Sequence, residues 1–204
     1  MAILLIPSYF GSISEYAALV QNEEVFFEFD DNFQKQTNRN RAFIYSPNGL
    51  QLLNVPVIHK KQLHQKTRDM RIEYAEDWRK QHFKSLETAY RSSPYFEFYE
   101  DFFTDLYNKK YEFLTDLQFH TIDLVLKCLQ VNKSYTKTTE FFKNPLQTNG
   151  RELANRKKDT HEFESYHQVF IEKHGFLNNL SILDLLFNEG RKAGEYLKRQ
   201  TLNL

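Results

Sequence analysis

The segment Lys35-Gln36-Thr37-Asn38-Arg39-Asn40-Arg41 concentrates cations and amide or hydroxyl side chains between two apolar runs. Guanidinium groups present rigid forks that match carboxylate and phosphate oxygens. The segment therefore reads as a clamp for an anionic donor, with Lys35, Arg39, Asn40 and Arg41 as its binding side chains. A solvated charged loop is the plain alternative. His82 is the second candidate. Trp78, His82, Leu86 and Tyr90 recur at i, i+4, i+8 and i+12, which puts them on one helix face and turns His82 inward. A partly buried imidazole can act as general base or acid, with Trp78 lining the same site. A core histidine with one hydrogen bond is the alternative.

A third stretch, His59, Lys60, Lys61, His64, Lys66, Arg68 and Arg71, could receive a phosphate-bearing ligand. It could equally be a surface loop balanced by acids such as Glu97, Glu100, Asp101 and Asp105. The aromatic run Tyr95, Phe96, Phe98, Tyr99, Phe102, Phe103 and Tyr107 could stack on a sugar, or pack as core. No P-loop, G-x-G-x-x-G or G-x-S-x-G stretch occurs, and the histidines show no H-x-x-x-H or H-E-x-x-H spacing. Cys128 lies on an apolar helical stripe and is a poor nucleophile candidate. No metal site and no named cofactor follow from this pattern.

These groups need elements to hold them. Ala2 to Ile6 is an apolar run ended by Pro7, as in a strand covered on both faces. Ser12 and Glu15 form a capping box for a helix over Ile13 to Gln21. Val25 to Phe29 is a second strand, so a compact βαβ unit with parallel strands is expected. Ala42 to Tyr45 and Leu50 to Val57 flank Ser46-Pro47-Asn48-Gly49, a hairpin signal. His59 to Arg71 is read as a loop leading into a short strand near Met70 to Ile72. Helical periodicity takes over from Ala75. Ser93 is read as an N-cap with Pro94 at N1 of a next helix, and a long helix is expected over Lys109 to Gln130. Residues 132–165 are polar and read as a long loop. Helices over Ser181 to Asn188 and Arg191 to Arg199 close the chain, with Gly190 ending the first.

The chain has 204 residues, with Lys+Arg and Asp+Glu both 27 and a formal net charge of zero, which argues against a general nucleic-acid binder. A single cysteine excludes an intrachain disulfide framework. The leading apolar run is too short for a signal-peptide core, and no stretch approaches a spanning helix. A cytoplasmic protein without a membrane span is the expectation; its oligomeric state is left open.

Several of these pieces occur in a recognisable order. They are Pro7-Ser8-Tyr9-Phe10, the Lys35 to Arg41 segment, Asn54-Val55-Pro56-Val57, Trp78-x-x-x-His82, Ser92-Ser93-Pro94-Tyr95-Phe96 and Leu180 to Gly190. The ordered set resembles the WbqC-like protein family over nearly the whole chain, with Ile6-Pro7 where many members carry Gln-Pro. The resemblance implies a cytosolic transferase of bacterial O-antigen or surface-polysaccharide biosynthesis, moving an aminoacyl group such as glycine to an amino sugar.

The expectation is thus a single α+β domain over 1–204. Residues 1–75 form an N-terminal mixed β-sheet with a short βαβ unit and a hairpin, and 76–204 form a mainly helical half. Its partner would be a small-molecule or nucleotide-sugar substrate, not nucleic acid. Arg39 and Arg41 would bind the donor, Lys35 and Asn40 position it, and His82 deprotonate the acceptor. The rivals are nucleotidyl or adenylyl transfer, with Gly11-Ser12 seating a phosphate on backbone amides, and a non-catalytic interaction protein using Tyr95 to Tyr107.

Overall fold

Strand β1 (Ala2–Leu5) is apolar, with Ile3, Leu4 and Leu5 buried. Pro7 cannot extend the ladder, and Ser12 then caps helix α1 (Ile13–Gln21) through the expected capping box with Glu15. Every residue of α1 from Ile13 to Val20 is buried, as in a helix covered on all sides. Strand β2 (Glu24–Phe27) returns parallel to β1, with Ile3 opposite Val25 and Leu5 opposite Phe27. This is the expected βαβ unit. The computed structural model describes residues 1–59 and 65–204; Lys60, Lys61 and His64 of the basic stretch lie outside them.

Strands β3 (Arg41–Ser46) and β4 (Gly49–Asn54) form the expected hairpin, with Arg41 opposite Asn54. Gly49 turns the chain at φ +92°, where a side chain would be strained. Strands β5 (Val57–Ile58) and β6 (Arg71–Ile72) make a second antiparallel pair. Helices α2 (Trp78–Tyr90), α3 (Phe96–Asn108) and α4 (Leu114–Leu129) follow. Ser93 does not cap α3. Its hydroxyl donates to the Tyr90 carbonyl at 2.7 Å, finishing α2 instead. Nor does α4 begin at Lys109. Phe113 is extended and bridges Arg71, and the Leu114 amide donates to Met70.

The largest departure lies in 132–165. Instead of one loop, it supplies strands β7 (Thr136–Lys137) and β8 (Thr148–Asn149) and a short 3-10 turn, Arg151–Ala154. β7 pairs parallel with β2 and β8 parallel with β1, giving a four-stranded sheet in the order β7-β2-β1-β8. Gly150 is needed beside it. A Cβ there would stand 2.7 Å from Leu5 Cδ2 and 3.2 Å from the Leu4 carbonyl oxygen. A one-turn α5 (Ile171–His174), α6 (Ile182–Glu189) and α7 (Lys192–Arg199) complete the chain. The fold is α+β, with parallel strands and a hairpin in the N-terminal part and mostly helices after it. α6 and α7 pack on α1. The rings of Phe10, Phe96, Phe103 and Phe187 form one aromatic core between α3 and α6. Most of the Tyr95 to Tyr107 aromatics are therefore core, while Phe98 stands exposed. Among the described residues no helix is long and apolar enough to cross a membrane.

Candidate anion-binding site

The Lys35 to Arg41 segment lies between β2 and β3, and its side chains divide between two cavities. Lys35, Asn40 and Arg41 line an open cavity of about 300 Å³, together with Gln36, Asn54 and His59. Phe33, Pro56 and Val57 form its apolar wall. Arg39 turns the other way, into a cavity at the end of the parallel sheet. Within this loop Gln36 takes φ +61°.

The two arginines differ in charge compensation. Arg39 is buried and doubly bonded to Asp31, through Nη2 and through Nε at 3.1 Å, and its Nη1 donates to Thr37 Oγ1 at 3.1 Å. Arg41 Nε donates to the neutral Asn54 Oδ1 at 3.3 Å. Among the described residues neither Arg41 nor Lys35 has an ion-pair partner. Two uncompensated cations thus face one opening, and among the described residues no carboxylate lines it. His59 on the same wall has its pKa lowered by desolvation and by the Lys35 charge. Asn40 is structural as well as lining: its Nδ2 donates to the Val55 carbonyl at 2.8 Å and holds the β4 end.

His82 and Trp78 stand behind this wall. His82 is buried, with Nδ1 bonded to the Tyr9 hydroxyl at 2.9 Å, which in turn meets the Tyr107 hydroxyl at 2.6 Å. Desolvation lowers the His82 pKa to about 4, against a smaller opposing hydrogen bond to the Asn54 backbone carbonyl. Asn54 therefore joins His82 to Arg41: backbone on one side, side chain on the other. Trp78 packs edge-on against His82 and Tyr107. His82, Trp78 and Arg41 are thus neighbours through Asn54, but the open cavity is lined by Arg41 and Asn54 alone among them.

A narrow polar crevice continues from Arg41 towards Ser12, Asn38, Arg156, Asp159 and Asn179. Phe10 and Asn179, which also line it, have φ of +45° and +50°. Non-glycine residues in that region cost about 1–3 kcal/mol each and gather at functional sites. The crevice closes the start of α1. The Ser12 amide donates to Glu15 Oε2 at 2.8 Å, Ile13 to the Leu180 carbonyl at 3.0 Å, and Ser14 to Asn179 Oδ1 at 3.1 Å. The Glu15 amide reaches Ser12 Oγ. With these donors engaged, the amides from Ser12 to Glu15 are not free for a phosphate. Glu15 itself is buried, and desolvation raises its pKa although Ser8, Ser12 and Asn38 all donate to it.

Lys66, Arg68 and Arg71 of the basic stretch are paired with carboxylates. Lys66 and Arg68 pair with Asp30, at 3.0 and 2.5 Å, and Arg71 pairs with Glu112. These are not the acids expected from the sequence, of which Glu100 pairs with Arg91 instead. Arg156, Asp159 and Asn179 were not singled out, because their loops carry no periodic or motif signal, whereas Asn38 lies within the Lys35 to Arg41 segment. His59 and Asn54 were visible, in the basic stretch and the Asn54-Val55-Pro56-Val57 element.

The sequence model of the WbqC-like protein family matches residues 7–154. The chain belongs to this family. The match runs from Pro7, where β1 ends, to the turn after β8, and so includes both cavities' central segment. This WbqC-like protein is also 27% identical over 215 residues to the uncharacterized protein Rv1507c of Mycobacterium tuberculosis (strain ATCC 25618 / H37Rv), covering 90% of this chain and 91% of that one. No solved structure matches it significantly.

Proposed function

We propose that this WbqC-like protein is a group transferase whose Lys35–Arg41 cavity holds the phosphate or carboxylate of an activated donor. The observation that carries the reading is the pair of cations, Lys35 and Arg41, on one open cavity, with no ion-pair partner and no acidic wall among the described residues. A bidentate guanidinium fits such an anion, and Lys35 adds a mobile charge. Asn40 keeps the β4 end in register beneath them. His59, held neutral at pH 7 by its lowered pKa, is the base within reach of the cavity. His82 acts as a positioning residue through Asn54, with Trp78 fixing its ring.

Membership of the family supports placing this transfer in bacterial surface-polysaccharide biosynthesis in the cytoplasm, with an aminoacyl group such as glycine passed to an amino sugar. Nucleotidyl transfer through a phosphate on the α1 amides finds no support, since those amides are engaged. The test is thermal unfolding of the purified protein with pyrophosphate, nucleoside diphosphates and nucleotide-sugars. A ligand at ~100 times its Kd adds about 2.7 kcal/mol to the native state. Stabilisation by a phosphate-bearing probe, lost in Arg41→Ala and Lys35→Ala, is expected. Absence of any such stabilisation would overturn the assignment.

A further inference from the structure

We propose that the crevice at the carboxyl end of the parallel sheet is a second binding site, for a neutral hydroxylated ring of sugar type. It is separate from the anion cavity and lies on the opposite side of the 30–41 loop. In chain order the paired strands run outward from β1 to β2 to β7, and then the chain crosses to β8 on the other side of β1. That reversal is a topological switch point, and in open parallel sheets ligands sit beyond the strand ends at such points. The crevice is there: about 280 Å³, bounded by Ile6 after β1, by the Asp31 loop after β2, and by Asn149 and Arg151 at the end of β8.

The chemistry of its wall selects the ligand. Each cation already has its anion: Arg39 with Asp31, Arg151 with Glu28 at 2.5 Å, and Lys158 with Glu152 at 2.6 Å. The site therefore offers no net charge to a phosphate, unlike the Lys35–Arg41 cavity. Two bare groups remain. Asp31, only 3% exposed, leaves Oδ1 without a hydrogen-bond partner among the described residues, and Arg151 leaves Nε without one. A buried polar atom left unpaired is costly. An approaching anion would meet the Asp31 carboxylate, and a cation would meet the Arg151 guanidinium. A hydroxyl answers both, because it donates and accepts. The amides of Asn32, Gln34 and Asn155 on the same wall have the same double capacity. Phe141, over which Arg151 lies at 5.0 Å, adds an apolar face against which a ring can pack. Wall and mouth together fit a ring edged with hydroxyls and bare of charge.

Saturation-transfer NMR on the full chain tests this with galactose, N-acetylglucosamine and ribose, against glycine, with phosphorus-31 line broadening reading the binding of inorganic phosphate. Transfer to ring protons of at least one hydroxylated probe is expected. Affinity should fall about tenfold in Asp31→Asn, the scale of one charge-assisted hydrogen bond. It should fall about fivefold in Phe141→Ala, the scale of one ring contact, and stay unchanged in Lys35→Ala. Phe141 is half exposed, so that variant decides the matter if Asp31→Asn does not fold. Absence of transfer from every hydroxylated probe overturns the proposal. So does transfer that survives both substitutions, or a site that answers only to glycine or phosphate. Phosphate binding lost in Arg41→Ala but accompanied by no sugar transfer would remove this site and leave the anion cavity standing.

Discussion

Arg39 and Arg41 stand two positions apart in one loop and do opposite work. Arg39 is buried against Asp31, with its fork satisfied by Asp31 and Thr37. Arg41 reaches an open cavity with only an amide beside it. The difference teaches that a cation's availability is set by what the rest of the chain brings to it. Asp31 arrives from the β2 side and neutralises one arginine, while among the described residues nothing acidic comes to the other. The same contrast separates the two cavities. One has charge to spare, and the other has its charges closed on themselves.

The comparison breaks most visibly on stability. Arg39→Ala should destabilise the fold by about 3–5 kcal/mol, because Asp31 is left buried and unpaired. Urea denaturation monitored by circular dichroism reads this directly, and a loss below 1 kcal/mol would mean that the pair is not buried in solution. Arg41→Ala should change unfolding by less than about 0.5 kcal/mol. Its anion affinity should fall by about tenfold to a hundredfold, the scale of a hydrogen bond to a charged group. Calorimetric titration with pyrophosphate measures it.

His82 sharpens the comparison through pH. Its pKa in the folded state is about 4, below the ordinary 6.5, because burial disfavours the imidazolium. The unfolded chain therefore takes up the proton first as pH falls below 6.5, and stability is lost progressively down to about pH 4. By linkage the loss from pH 7 to pH 5 is about 2 kcal/mol. Asp184 works in the other direction. Burial lifts its carboxyl to about 6 despite hydrogen bonds from Tyr90, Tyr166 and Gln168, so its contribution to stability grows as pH falls. Asp184 is common to both proteins, so comparing the wild type with His82→Gln at pH 7 and pH 5 isolates the histidine. The stability gap between them should narrow by about 2 kcal/mol. The smallest effect is at His59. An anion seated beside Lys35 should raise the lowered His59 pKa, seen by NMR titration of the imidazole with and without pyrophosphate. An unmoved His59 would place the anion elsewhere.

Local signals carried much of the architecture. The Ser12–Glu15 box, the Pro47 to Gly49 turn and the Trp78 to Tyr90 stripe each announce an element through a short-range rule, and each element is present. β7 and β8 announce nothing. At two residues each they show no alternation, and they exist because β2 and β1 offer unpaired edges. Ser93 misled because a hydroxyl between two helices can serve either one. At the site, the Lys35 to Arg41 run was visible by composition. Its division between two cavities was not, since that depends on an aspartate eight positions away from Arg39. His82 was correctly expected to point inward. That its polar contacts would be Tyr9 and the Asn54 backbone is a matter of tertiary packing that spacing does not encode.

The closure of α1 has a consequence for how the protein is made. Its first turn is completed by Leu180 and Asn179, and the turn before it by Ser181, whose hydroxyl donates to the Phe10 carbonyl at 2.7 Å. During synthesis the Ile13 and Ser14 amides lack their native partners until the ribosome has released residues more than 160 positions later. The stretch that defines the family, 7–154, holds the anion-cavity side chains but not the partners that finish this helix. A fragment cut at 154 would carry the binding residues on an unfinished scaffold, and the carboxy-terminal fifty residues act as its latch.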